Sequence, residues 1–233
     1  MSLDQKYDRM YGTATISDEH ADADPRSWPR DRVAAILKDA PPAYCVLDVG
    51  CGDGRLLLRL RDRFRQFVGL EYSRSRLDQS CANLSSLPFQ PVLGSAEDMS
   101  GIPAQSIDVI VSADVIEHVP DVYRAAEEML RVLKPGGVAV INTPNVAFIK
   151  KRLLLAAGRF PSTSQPNEGL GSDILFDGGH LHYFTFRSLS LLLVKAGFDI
   201  VRHTGFGVLG PASRLWPGLL SSGVQVVARR PLA

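Results

Sequence analysis

An α/β fold built on a largely parallel sheet is what this 233-residue sequence predicts, and three observations carry it. A short apolar run from Cys45 to Val49 meets three glycines, Gly50, Gly52 and Gly54, and then a leucine-rich helical segment from Leu56 to Leu60. Strand-like and helix-like stretches alternate through the residues that follow. The chain is also long enough for one well-buried domain and short for two. One sheet covered by helices on both faces satisfies all three.

Residues 1 to 28 are polar and rich in Asp, with Tyr7 and Tyr11 one helical turn apart. A lid over a site and a frayed surface end are the two readings of such a stretch. From Pro29 to Lys38 the apolar positions Val33, Ile36 and Leu37 fall at helical spacing, and Pro41 and Pro42 stop the helix. The first 40 residues therefore read as lid and helix, and 41–233 as the domain proper.

In the turn, glycines at alternate positions let the backbone approach a ligand, and a helix beginning near Asp53 or Gly54 points unpaired N–H groups at it. A nucleotide-like ligand suits that geometry. The spacing is Gly-x-Gly-x-Gly, not the Gly-x-Gly-x-x-Gly of dinucleotide folds, and no basic residue within the turn meets a pyrophosphate, which argues against NAD. Beyond it, QFVGLEY reads as strand, RSRLDQSCANLSS as helix, and QPVLGSAED and SIDVIVSADV as strands. Asp121 to Leu133 is an amphipathic helix ending at KPGG, with Val122, Ala125, Met129, Val132 and Leu133 inward, and GVAVINTPN is a further buried strand. Five βα units result. Val146 to Phe176 breaks the rhythm with a basic, apolar helix candidate, VAFIKKRLLLAAGRF, and a polar run, PSTSQPNEGLGSD, which together read as an insertion near the mouth of the site. A helix capped by Thr185 or Ser188 and closed by Gly197 comes next. FDIVRHTG and SGVQVVARR are the last strands, joined by a long loop carrying Trp216.

A formal charge of +1 and 45% hydrophobic content give no electrostatic case for nucleic acid as the main partner. Cys45, Cys51 and Cys81 lack metal-ligand spacing, and their odd number fits a reducing cytoplasm. Neither a signal peptide nor a run of membrane-spanning length is expected. Lys150, Lys151 and Arg152 beside Leu153 to Leu155 have two readings: peripheral contact with anionic lipid or a diphosphate-linked acceptor, and a solvated basic face.

VLDVGCGDG, Glu71 at the end of FVGLEY, GSAEDM, DVIVSADVIEHV and LKPGGVAVINTPN, in this order and spacing over roughly residues 44–145, resemble class I S-adenosylmethionine-dependent methyltransferases. The resemblance implies a doubly wound, Rossmann-like, mostly parallel sheet of seven strands with one antiparallel member, interrupted by a helical and loop insertion at about 146–180. It implies S-adenosylmethionine, leaving as S-adenosylhomocysteine, over the carboxyl ends of the first strands. Glu71 would accept hydrogen bonds from both ribose hydroxyls, at the roughly 20-residue separation from the turn seen in nucleoside-binding folds. Tyr72 follows it in the cofactor set. Ser95, Ala96 and Glu97 match the adenine segment, where the family often has Asp in place of Ser95, so the contact to the exocyclic amine passes to Glu97 or Asp98. Gly50, Cys51 and Gly52 would lie under the methionine moiety, Ser112 and Ala113 alongside it, and Asp48 near its amino group.

His118 stands where the family often borders the transferring methyl group, and His180 and His182 in HLHYFT join it as candidate proton acceptors. Asp114, Glu117, His118 and His180 also resemble the metal site of small-RNA 2′-O-methyltransferases and of ubiquinone-pathway O-methyltransferases, and oxygen ligands with imidazoles suit Mg²⁺ or a first-row divalent ion. Many relatives keep a Glu-His pair without metal. The stretch beyond Asn142 is similar to methyltransferases of bacterial polysaccharide and natural-product pathways, and to a methyltransferase-like protein that accompanies homoserine acyltransferase. The expected activity is O-methylation of a small molecule: a sugar, a glycolipid precursor or a phenol. A non-catalytic partner of a biosynthetic enzyme and a metal-dependent RNA 2′-O-methyltransferase are the alternatives. The residues leave O- against N-methylation, the acceptor and the oligomeric state open.

Overall fold

A computed structural model describes residues 1–11, 28–164 and 175–232 of the chain. The strands are β1 (Cys45–Val49), β2 (Gln66–Glu71), β3 (Phe89–Leu93), β4 (Ile107–Ala113), β5 (Leu133–Pro144), β6 (Asp199–Phe206) and β7 (Gly223–Arg229). They form one seven-stranded sheet in the order β3-β2-β1-β4-β5-β7-β6. The pairs from β3 through β5 are parallel, and β7 lies antiparallel to both β5 and β6.

The helices are α1 (Leu3–Tyr11), α2 (Arg32–Asp39), α3 (Arg55–Arg59), α4 (Arg74–Asn83), α5 (Val122–Val132), α6 (Ile149–Ala156), α7 (Phe186–Ala196) and the single turn α8 (Pro217–Leu220). Alternation along β1 explains why helices cover both faces. Cys45, Leu47 and Val49 join one apolar cluster with Ala125 and Met129 of α5 and Leu189 and Leu193 of α7. Val46 joins the other with Val33 and Ile36 of α2, Leu56 and Leu57 of α3 and Leu77 of α4. Both faces of the strand are enclosed, so it reads as a continuous apolar run with one acid.

Local capping chemistry sets the helix starts. Asp31 accepts from the Ala34 N–H, Asp121 from those of Tyr123 and Arg124, and Thr185 and Ser188 form a reciprocal capping box. Gly197, at φ 104°, closes α7 as the sequence implies. Two expectations shift. The β3–β4 connection contains no helix, so the βα rhythm skips one step there. Helix α5 ends at Val132, just before KPGG, as expected; β5 follows at once, Leu133 pairing with Ile107 and the pairing resuming at Val138 after an irregularity with Gly136 at φ +78°. The helix candidate starting at Val146 is shorter: Asn145 accepts from the Ala147 N–H, buried Phe148 caps the start, and α6 covers only Ile149–Ala156. Part of the polar run of the insertion, 165–174, lies outside the described residues, as does 12–27 of the N-terminal stretch.

The strand order reverses direction at β1, whose neighbours are β2 and β4. Connections leave to opposite sides at this point, opening a crevice at the carboxyl ends of the strands.

Candidate cofactor and acceptor site

A cavity of about 570 Å³ fills that crevice, within the roughly 300–1,000 Å³ range of small-molecule and cofactor sites. Its floor is the turn after β1. Gly50 has φ +75°, and a Cβ there would stand 2.4 Å from Val115 Cγ2, so both the conformation and the space demand glycine. The Gly50 N–H donates to the Leu70 carbonyl at 2.8 Å, tying the turn to β2.

Glu71 ends β2 inside the cavity, only 8% exposed. Its Oε2 accepts from the Gly52 N–H at 2.8 Å and its Oε1 from the Ser73 N–H at 2.9 Å, which fixes the carboxylate with its remaining lone pairs available to a ligand. Asp48 lies beside it, and burial followed by the Glu71 charge pushes its carboxyl well above the usual range. The Arg76 charge draws the Asp48 carboxyl only partly back, so the pair still favours a cationic ligand. Arg76 of α4 also lines the cavity, and its buried Nε has no partner among the described residues.

Val49, Cys51, Tyr72, Ser95, Ala96 and Glu97 line the same cavity. Ser95 Oγ donates to Glu97 Oε2 at 3.1 Å, while Glu97 Oε1 accepts from the Asp121 N–H at 2.6 Å, so this segment is braced before any ligand arrives. The Asp98 carboxylate turns away to the Ser100 N–H. Two members of the expected cofactor set do not line the cavity themselves. Gly52 is screened by Arg76, whose Nη2 would be 2.3 Å from a Cβ at that position, so it acts through its N–H on Glu71. Of the pair expected alongside the methionine moiety, Ser112 is fully enclosed within β4, and Ala113, one residue nearer the strand's end, lines the cavity.

The opposite end carries the titratable cluster. Asp114 turns the chain at φ +52°, a left-handed conformation that Asp tolerates better than most residues. Its Oδ2 pairs with Arg32 Nη1 at 2.6 Å, and its Oδ1 is buried without a partner among the described residues. Glu117 is 1% exposed; its Oε2 accepts from Thr143 Oγ1 at 3.0 Å, and its Oε1 is likewise unpartnered. Burial, then the Asp114 charge, raises the Glu117 carboxyl well above the usual range. Ligand atoms of Glu117, His118 and His180 lie within 4.8 Å of one another, and Asp114 stands outside this trio because Arg32 holds it.

His118 Nδ1 is 3.1 Å from the Gly179 carbonyl, which only accepts, so Nδ1 carries the proton and Nε2 keeps its lone pair. Burial, then His180, pulls the His118 pKa down to about 4. The His180 ring meets it edge-on at 4.6 Å, is lowered mainly by burial, and is anchored through Nδ1 by Thr163 Oγ1 at 2.7 Å. His182 does not join them. Its Nε2 faces the Pro120 carbonyl at 3.3 Å, outside the cavity lining, because the chain bends after His180: the successive N–H groups of Leu181 and His182 both donate to the Glu117 carbonyl.

Helix α1 roofs the cavity. Tyr11 Oη donates to the Gly178 carbonyl at 2.5 Å and Tyr7 Oη to the His118 carbonyl at 3.4 Å, while the Tyr7 ring stacks edge-on against Tyr72 and His118. Burial first pushes the Tyr11 hydroxyl up to about 12. Arg76, Arg32 and Thr163 had no signal of their own in the sequence; each reaches the cavity from an element whose local pattern concerns only its own helix or loop.

A methyltransferase-domain family model matches residues 19–203. A trans-aconitate 2-methyltransferase of Deinococcus radiodurans is 33% identical over 206 residues, covering 86% of this chain and 72% of that protein. A relative from Mycolicibacterium smegmatis named a probable S-adenosylmethionine-dependent methyltransferase is 30% identical over 165 residues, or 66% of this chain and 52% of its own. This chain thus spans about half the length of several curated relatives it matches. Among solved structures, an Aquifex aeolicus SAM-dependent methyltransferase aligns with TM-score 0.61 at 15% identity, over 98% of this chain and 99% of that one. A Haloferax volcanii methyltransferase complex with the Trm112 activator aligns with TM-score 0.60 at 17% identity, over 98% and 93%. With the switch-point cavity, the glycine floor and the Glu71 clamp on one sheet, the chain belongs to the class I S-adenosylmethionine-dependent methyltransferase family.

Proposed function

We propose that this protein O-methylates a small hydroxylated molecule, with the acceptor bound between the cofactor end of the cavity and the Glu117, His118, His180 trio. One observation carries the reading: two imidazoles and a buried carboxylate with an unpartnered oxygen, Glu117 Oε1, converge at the far side of a cofactor-sized cavity that Asp114 also lines. When bound, the cofactor supplies an electrophilic sulfonium methyl group.

The chain's own work is to orient the acceptor, exclude water and receive a proton. Asp48, Glu71 and the turn around Gly50 would hold the cofactor, and α1 shields it. His118 with a pKa near 4 is a weak base, so it serves better as a hydrogen-bond acceptor or ligand than as the final proton sink. Glu117, its carboxyl raised mainly by burial, would hold a proton beside the two rings.

The same donor set fits a divalent ion: two imidazole nitrogens oriented through their other nitrogens by Gly179 and Thr163, and a carboxylate oxygen with nothing else to bond. Glu117, His118 and His180 would hold it, and the chemistry it supplies is Lewis acidity toward a bound hydroxyl.

Methyl transfer to sugars, phenols and carboxylic acids is the test, with trans-aconitate included because the Deinococcus relative is named for it. Turnover on hydroxyl acceptors, lost in chelator, restored by Mg²⁺ or Mn²⁺ and abolished in His180→Ala, is the expected result. Full activity in excess chelator removes the metal, and methylation confined to amines removes the O-methyl assignment.

A further inference from the structure

Two segments beside the acceptor end of the cavity contain no acidic residue: 146–164 and 203–222. Both leave the carboxyl edge of the sheet at one place. Pro144, ending β5, pairs with Gly223, starting β7, and Gly223 also pairs with Phe206, ending β6. Asn145 ties the segments together, its Nδ2 donating to the carbonyls of Gly218 at 3.2 Å and Ser221 at 2.8 Å and its N–H to Ser222 at 2.9 Å. Pro144, Thr163 and Ser164 line the cavity itself, so this edge forms part of its rim.

What the rim shows to solvent is apolar. Leu153 is 62% exposed, Leu155 63% and Phe160 41%, and across from them Val208 is 77%, Leu215 88% and Trp216 62%. Helix α6 buries no residue at all, so its leucines serve no core. Lys150, Arg152 and Arg214 are exposed on the same segments. Lys151, by contrast, is folded back onto the Ser162 carbonyl. Exposed aromatic and aliphatic side chains interleaved with cations, with no anion among the described residues of these two segments, are complementary to an anionic lipid surface, which needs both an apolar and a charge contribution to hold a protein. A protein partner would not require the uniform sign. Among the described residues no helix is long and apolar enough to cross a membrane, so the contact is interfacial.

We propose that this rim docks the protein on an anionic bilayer and that the acceptor is a membrane-resident amphiphile entering the cavity from that side. The docking stands independently of the proposed function; the nature of the acceptor rests on it.

The full chain should co-sediment with vesicles of equal parts phosphatidylglycerol and phosphatidylcholine at least tenfold better than with phosphatidylcholine alone. Leu215→Glu with Trp216→Glu should lower that partition by tenfold or more. Lys150→Gln with Arg152→Gln should lower it by about 25-fold on anionic vesicles only, at about fivefold per charge. Both pairs lie outside the cavity lining, so unchanged affinity for S-adenosylhomocysteine certifies their folding. Brominated lipid should quench Trp216 and spare Trp28, and Trp216→Phe should abolish the quenching. Absence of partition on anionic vesicles, or partition that survives both double variants, overturns docking. So does a dimer in solution that Leu215→Glu with Trp216→Glu dissolves while vesicles bind nothing. Vesicle binding with turnover only on soluble acceptors keeps docking and overturns the amphiphile, whereas no turnover on any acceptor overturns the proposed function and leaves docking untouched.

Discussion

Replacing Glu71 by Ala separates a ligand contact from a structural one. In the free chain the carboxylate satisfies two backbone N–H groups, those of Gly52 and Ser73, and the substitution strips both of their acceptor. The side chain borders the cavity, so water reaches the exposed donors and the cost stays near the low end of the usual 1–3 kcal/mol each, about 2 kcal/mol in sum. At about 2–4 °C per kcal/mol for a chain of this size, the melting temperature should fall by about 4–8 °C. Cofactor affinity is a different quantity, since the orphaned donors are present in free and bound protein alike and largely cancel. What remains is the loss of two charge-assisted bonds to the ribose, about 2–3 kcal/mol, or roughly a 30- to 150-fold rise in Kd. Calorimetry with S-adenosylhomocysteine and a ligand-free thermal scan read the two effects separately. A lowered melting temperature with Kd within twofold of the parent would refute the ribose role and leave Glu71 as a brace for the turn.

Two further outcomes follow from the same cavity. Burial and Glu71 hold the Asp48 carboxyl high in the free chain, and a cationic cofactor favours its ionised form, so binding should release a proton and tighten as pH rises until the free-state pKa is passed. Titrations in buffers of different ionisation enthalpy should show that release, Asp48→Asn should lack it, and identical heats in all buffers would contradict the linkage. Tyr11→Phe removes the hydrogen bond from α1 to the Gly178 carbonyl, worth about 1 kcal/mol, and should speed cofactor dissociation about fivefold in stopped-flow displacement if α1 retains the cofactor. An unchanged rate would reduce α1 to a surface helix.

Much of the sheet was legible because its signals are local. The all-buried run of β1, the glycines after it and the acid ending β2 announce themselves by residue type and spacing, as do the Thr185 cap and the Gly197 stop of α7. The β3–β4 connection misled because a strand rhythm says nothing about whether a helix intervenes. In extended chain one residue reverses the side a side chain faces, so of Ser112 and Ala113 only the latter lines the cavity. His182 leaves the cavity for another reason, a bend at Leu181 and His182 whose two N–H groups share the Glu117 carbonyl, and no local pattern announces that contact. The turn has no basic residue in sequence, yet packing of α4 lays the Arg76 guanidinium over Gly52. Likewise α2 sends Arg32 to Asp114, and the insertion sends Thr163 to His180. The sequence by itself determined most of the elements, the turn and the acid that ends β2, since each depends on neighbours within a few residues. The tertiary structure alone decided which distant side chains close the site, because those contacts depend on how separate elements pack across one sheet edge.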